Sequence, residues 1–194
     1  MDDKARQRRS RLVLVVVFAL FLAPFLTAWF MNFIADWRPA ATTQHGELIQ
    51  PVLPAAELAL REAEGGAPLD AAFWEGHWTL LYIAPAACGE DCARMGYVMR
   101  QLRLAQGKNI DRVQRALVLN APDDARRAEL AEHYPGMRLL APAPAAGPHA
   151  GLPQADRLYL VDPLGNVMMQ YAPDTEPRGI IKDLERLLRI SYVG

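Results

Sequence analysis

Between Leu12 and Ile34 the chain carries 23 residues without a charge, and only Thr27 and Asn32 among them are clearly polar. A helix over this run, at about 1.5 Å per residue, is long enough to cross ~30 Å of hydrocarbon. Lys4, Arg6, Arg8, Arg9 and Arg11 precede it, and only Asp36 and Arg38 follow closely. That asymmetry places the N-terminus in the cytoplasm and sends the rest of the chain across the membrane. Trp29 and Trp37 would then lie at the far interface, and Pro24 would loosen one turn, which a membrane span tolerates. The apolar region of a cleaved signal peptide is ~7–15 residues with a small-x-small cleavage site, so an uncleaved anchor fits this longer, aromatic-rich run better.

The pattern divides the chain into a basic cytoplasmic tail (1–11), a transmembrane anchor (12–35), a polar tether (36–45) and a second region (46–194) long enough for one core. In that region Glu47–Val52 reads as a short strand, and Leu58–Glu64 is weakly patterned. Trp78–Ala84 is a continuous apolar and aromatic run, as in a strand buried on both faces. A loop over Ala84–Asp91 leads to a helix over Cys92–Gln106, in which Met95, Val98, Met99, Leu102 and Ala105 recur at three- and four-residue steps and Gly107 ends the run. Arg115–Asn120 is a second buried strand. Asp123–His133 is a helix, capped by Asp123 or Asp124 and stopped by Pro135-Gly136. Met137–Leu140 is a short third strand.

A proline-rich loop, Pro142–Asp156, precedes two strands, Arg157–Asp162 and Val167–Tyr171, joined as a hairpin by Pro163-Leu164-Gly165-Asn166. Asp174 or Thr175 caps a last helix, Arg178–Ile190, whose apolar face is Ile180, Ile181, Leu184, Leu187 and Leu188. Strand, helix, strand, helix, hairpin, helix is the order of an α/β sandwich of the thioredoxin-like type, a βαβ unit joined to a ββα unit.

Composition narrows the function. With 21 basic and 22 acidic residues the net charge is −1, so no basic surface calls for nucleic acid. The chain is too apolar for disorder. No Gly-rich phosphate loop, carboxylate pair or Ser-His-Asp order stands out, which leaves hydrolase and nucleotide readings without footing.

Two cysteines remain, too few for a disulfide scaffold or a four-thiolate zinc site. Cys88 and Cys92 form a C-x3-C just after a buried strand and at a helix start, the edge of an α/β sheet where ligands commonly bind. Helix-start N–H groups favour a thiolate there. The pair can close a disulfide, structural or exchanging, or hold a soft ion such as Cu(I) as two thiolates. Of four histidines, His45 lies in the tether, His77 at a strand start and His133 at a helix end. His149, in the proline-rich loop, is the one free to swing toward a site. Met95 and Met99 can offer thioethers but read as core. Glu90 and Asp91, inside the C-x3-C loop, read as caps of the helix.

With an anchor, a strand, the C-x3-C and a later Tyr159-Leu160-Val161-Asp162-Pro163-Leu164-Gly165, the chain resembles the SenC/Sco family. These are thioredoxin-fold proteins that help assemble the copper centre of cytochrome c oxidase. The similarity covers about Phe73 to Ile190, with Trp78–Tyr82 also matching, and is nearest to a small, divergent proteobacterial branch.

The resemblance implies a bacterial inner-membrane protein whose second region faces the periplasm. Its partner would be a cytochrome c oxidase subunit and its cargo copper, with Cys88 and Cys92 as two ligands. The family's third ligand is a His shortly before the hairpin, often in Asp-His. Here that place reads Asp156-Arg157, and a guanidinium cannot ligate a metal. Either His149 substitutes, or Cu(I) is held by two sulfurs, or only thiol-disulfide chemistry is kept. Copper chaperone is therefore the first expectation. A thiol-disulfide oxidoreductase that keeps the oxidase copper-site cysteines reduced is the second, and a non-catalytic assembly protein with a structural disulfide the third.

Overall fold

The computed structural model describes residues 2–33, 43–85, 88–120, 124–143 and 154–191. Trp37, most of the tether, Asp123 and most of the proline-rich loop, His149 included, lie outside the described residues. The chain divides into two compact units, Met1–Thr43 and Gln44–Gly194.

Among the described residues the first unit is a single helix, α1 (Asp2–Phe33). Its segment Gln7–Met31, with a mean hydropathy of 2.6, is long and apolar enough to cross a membrane by length and composition. The helix runs through Pro24, and one turn on, Thr27 Oγ1 donates to the Ala23 carbonyl at 2.8 Å.

The second unit is built on one seven-stranded sheet. Its elements are β1 (Glu47–Pro54), β2 (Leu60–Glu62), α2 (Ala71–Trp74), β3 (Trp78–Ile83), α3 (Glu90–Leu104), β4 (Val113–Val118), α4 (Asp124–His133), β5 (Met137–Pro142), β6 (Arg157–Val161), β7 (Asn166–Tyr171) and α5 (Pro177–Ile190). The strand order is β1-β7-β6-β3-β4-β5-β2. β3, β4 and β5 run parallel, while β6 and β7 form the expected antiparallel hairpin beside β3. Every residue of β3 is buried, as its unbroken apolar run predicts. Trp78, Leu80 and Tyr82 join the core under α3, α4 and α5, whereas Leu81 and Ile83 join the opposite core with Trp74 and Leu58.

Some elements differ from the sequence expectation. The weakly patterned stretch forms a 3-10 turn at Ala55–Leu58 and the edge strand β2, held by pairing to β5 rather than by its own pattern. β1 continues through Pro51 to Pro54, which an edge strand permits because one side needs no ladder N–H. Neither Asp174 nor Thr175 caps α5. Glu176 stands at the cap position with no side-chain bond to the helix, and Pro177 opens it.

The start of the second unit is fastened by a buried carboxylate. Asp183 of α5, 4% exposed, accepts from the backbone N–H groups of His45 (2.7 Å) and Gly46 (3.1 Å). His45 Nδ1 lies 3.1 Å from its other oxygen. The imidazole sits where a side chain at Gly179 would be, since a Cβ there would come within 2.7 Å of the ring. Asp183→Ala leaves one part-buried and one buried N–H group without their acceptor and is expected to cost about 2–4 kcal/mol, read as a lower urea midpoint of the full chain in micelles. Gly179→Ala is expected to lower the same midpoint by displacing His45.

Candidate functional site

β3 ends at Ile83, and the chain leaves the sheet at the carboxyl edge of its parallel strands. Two bonds hold this exit: Ala84 N–H donates to the Val118 carbonyl at 3.0 Å, and Asn120 Nδ2 donates to the Ala84 carbonyl at 2.8 Å. The chain then reaches Cys88 and enters α3 at Glu90, two residues earlier than the apolar repeat marks. Cys92 thus lies inside the first turn, not at its border.

Cys88 and Cys92 are joined by a disulfide, their Cα atoms 5.3 Å apart. The two sulfurs differ in environment. Cys92 is fully buried among Tyr82, Met95 and Met99, whereas Cys88 is only partly buried against that cluster. Met95 and Met99 are core residues, 6% and 0% exposed. Glu90 and Asp91 are first-turn charges that favour the helix start without capping it, since Gly89 holds the cap position with no side-chain bond.

Three contacts that the sequence did not announce steady this turn. Arg126 of α4 donates through Nη2 to the Gly89 carbonyl at 2.7 Å. Tyr134 Oη donates to the Ala93 carbonyl at 2.7 Å, and its ring lies where a Cβ on Gly96 would come within 2.8 Å. A glycine in mid-helix was the available signal for that close approach. On the hairpin side, Tyr82 Oη donates to Asp156 Oδ1 at 2.7 Å. Burial, then that hydrogen bond and the charge of Asp156, push the Tyr82 phenol far above its ordinary range, so it stays protonated and donating. Asp156 itself is held in the left-handed region (φ 57°) with its N–H bonded to the Ile83 carbonyl.

The other sequence candidates disperse. Arg157, at the place of the resembled family's histidine, donates through Nε to Gln154 Oε1 at 2.8 Å. His45 is engaged with Asp183, His77 lies against the Glu75 carbonyl, and His133 against the Glu129 carbonyl of its own helix. Among the described residues no group of three His, Cys, Asp or Glu side chains is placed to hold a metal ion. Two thiols, once reduced, would remain as sulfur donors, which suit a soft ion better than a hard one.

A family model described as transmembrane-like, thioredoxin-like, C-terminal domain matches residues 78–191. Among solved structures, yeast Sco1 with copper bound is similar at a TM-score of 0.54 and 10% identity, over 78% of this chain and 96% of that one. Arabidopsis thaliana ScoI with copper bound gives 0.53 and 13%, over 75% and 99%. A Neisseria meningitidis protein assigned as a thioredoxin gives 0.50 and 14%, over 78% and 94%. At these identities the likeness establishes the fold. No curated protein matches the chain.

A phenol whose folded pKa is raised stabilises the fold fully below its unfolded pKa of ~10, and that stability is lost as pH rises beyond it. Tyr82→Phe is therefore expected to cost about 1 kcal/mol at neutral pH and to make the fall in stability above pH ~10 shallower. Denaturant midpoints measured from pH 7 to 11 check both arms.

Proposed function

The chain belongs to the family of transmembrane-like, thioredoxin-like C-terminal domains, and from that premise we propose that its Cys88–Cys92 pair cycles between disulfide and dithiol on a membrane-anchored domain. The observation that carries this reading is the asymmetry of the pair: a partly exposed Cys88 bonded to a fully buried Cys92 at the start of a helix. In the reducing direction the Cys88 thiolate attacks one sulfur of a partner disulfide. A mixed disulfide forms, and the partner's other sulfur leaves as thiolate. Cys92 then attacks Cys88 Sγ, the mixed disulfide breaks, and the partner departs with two electrons as a dithiol. A dithiol protein restores the pair.

Location and partner follow from the same reading. The basic tail before the apolar helix supports a cytoplasmic N-terminus and a periplasmic domain at the bacterial inner membrane. Anchoring would raise the effective concentration of the pair toward a membrane-bound substrate. The likeness to Sco structures supports a role in assembling the copper centre of cytochrome c oxidase, with the oxidase subunit's cysteines as substrate.

A second reading is carriage of copper itself, supported by two thiolates within bridging distance. The sequence put this first. Exchange is favoured here because the family's histidine place holds Arg157, engaged with Gln154, while exchange needs only the two sulfurs. A third ligand from His149 belongs to the copper reading alone.

Cys92→Ser is expected to accumulate a mixed disulfide with a cysteine-bearing partner, trapped by acid quench and mass spectrometry, while Cys88→Ser accumulates none. Absence of any adduct from reduced Cys92→Ser overturns the exchange reading and leaves the structural bridge. Anaerobic Cu(I) titration of the reduced full chain tests the second reading. One equivalent bound, lost in Cys88→Ser, supports it, and no binding beyond that of the thiol-blocked chain removes it. Unchanged affinity in His149→Ala confines the ligands to the two sulfurs.

A further inference from the structure

A groove of about 310 Å³ opens between α3, β6 and the turn from β7 into α5. Its apolar lining includes Met95, Leu158, Pro173 and Ile180. Met95 lies one helical turn beyond Cys92, about 4.5 Å along the axis, and Leu158 is registered opposite Tyr82 at the end of β3. The groove therefore begins one helical turn from Cys92, although neither sulfur lines it. Its volume is at the lower limit of ligand pockets, ~300–1,000 Å³, which suits a side chain or two of an extended segment.

One rim is charged. Asp174 and Glu176 line the groove and are exposed. Among the described residues neither is in an ion pair, and Glu176 makes no cap bond to α5. Across from them, Arg94 is engaged with Asp91 at 3.3 Å. The groove thus offers an apolar floor with an acidic side.

We infer that this groove selects the partner segment beside its reactive cysteine, taking an apolar side chain onto the floor and an adjacent lysine or arginine against Asp174 and Glu176. The inference rests on the exchange reading and names the substrate class for the same site. An apolar residue alone would use the floor, but the acidic rim would repel a segment carrying glutamate or aspartate and attract a basic one. Contacts at an exposed rim steer encounter more than they tighten the complex, so the effect belongs in the rate of mixed-disulfide formation.

The test uses the reduced full chain in micelles with two peptides, each carrying one internal disulfide, flanked by Leu-Lys in the first and by Leu-Glu in the second. Hydroxyethyl disulfide serves as a small substrate without flanking residues. The Leu-Lys peptide is expected to be reduced about threefold to tenfold faster at low salt, with the ratio collapsing near 1 M salt. In Asp174→Lys/Glu176→Lys the preference is expected to invert while the hydroxyethyl disulfide rate stays unchanged. The milder Asp174→Asn is expected to reduce the preference without inverting it. Equal rates for the two peptides overturn the groove, as does a double variant that slows all three substrates alike. A peptide rate per molecule that falls as protein concentration rises would put a second copy of the chain in the groove and overturn it too. No reaction with hydroxyethyl disulfide sinks the exchange reading beneath it, whereas reaction without preference sinks the groove alone.

Discussion

A strand buried on both faces has one way out, and that constraint places everything else in the second unit. β3 is flanked by β4 and β6 and covered on each side, so no residue of it reaches water. Its chain can reach the surface only beyond Ile83. The next segment must then satisfy its own polar groups, and here Asn120 and Val118 take the first of them while a helix takes the rest. The sulfur pair sits in this short interval between sheet and helix. One sulfur is drawn into the core with the first turn, the other is left toward the surface.

That partition gives the pair its chemical character. A buried sulfur flanked by apolar side chains is shielded from direct attack, so a thiol arriving from solution meets the outer one. The disulfide also closes only a short loop, so its entropic stabilisation of the fold is small compared with a bridge between distant segments. Fastening at the junction comes instead from Arg126, Tyr134 and the Tyr82–Asp156 bond. A turn held from three sides by groups other than the disulfide can keep its shape when the bond opens, and a cycling pair needs that property.

The sheet and the sulfur pair were legible in the sequence because their signals are local. Unbroken apolar runs mark β3 and β4, a Pro-Leu-Gly-Asn turn marks the hairpin, and a C-x3-C needs only its neighbours to be seen. The short elements were not. β2 exists because β5 offers it a partner, and α2 is four residues long, below what a periodic pattern can reveal. Nor could the sequence show Asp183, 138 residues from His45, turning from a helix charge into the buried acceptor that fastens the unit's first residues. Its place among Ile180, Ile181 and Leu184 on the apolar side of α5 was the visible oddity. The cap of α5 was misread for a physical reason as well: Pro177 pre-sets the first turn, so the helix starts without a side-chain acceptor at its entrance.

Arg157 bears on the choice between the two proposed chemistries. In a fold of this type the segment entering β6 faces the turn after β3, and Ile83 pairs with Arg157 across the strands. A histidine there would offer a neutral nitrogen donor. A guanidinium brings a permanent positive charge. A residue that cannot ligate a metal therefore stands at this position. It stands there without disturbing the sheet, because Arg157 satisfies itself on Gln154 at the surface. The position thus bears differently on the two proposals: copper carriage would need a third ligand from elsewhere or do without one, whereas exchange needs only the two sulfurs.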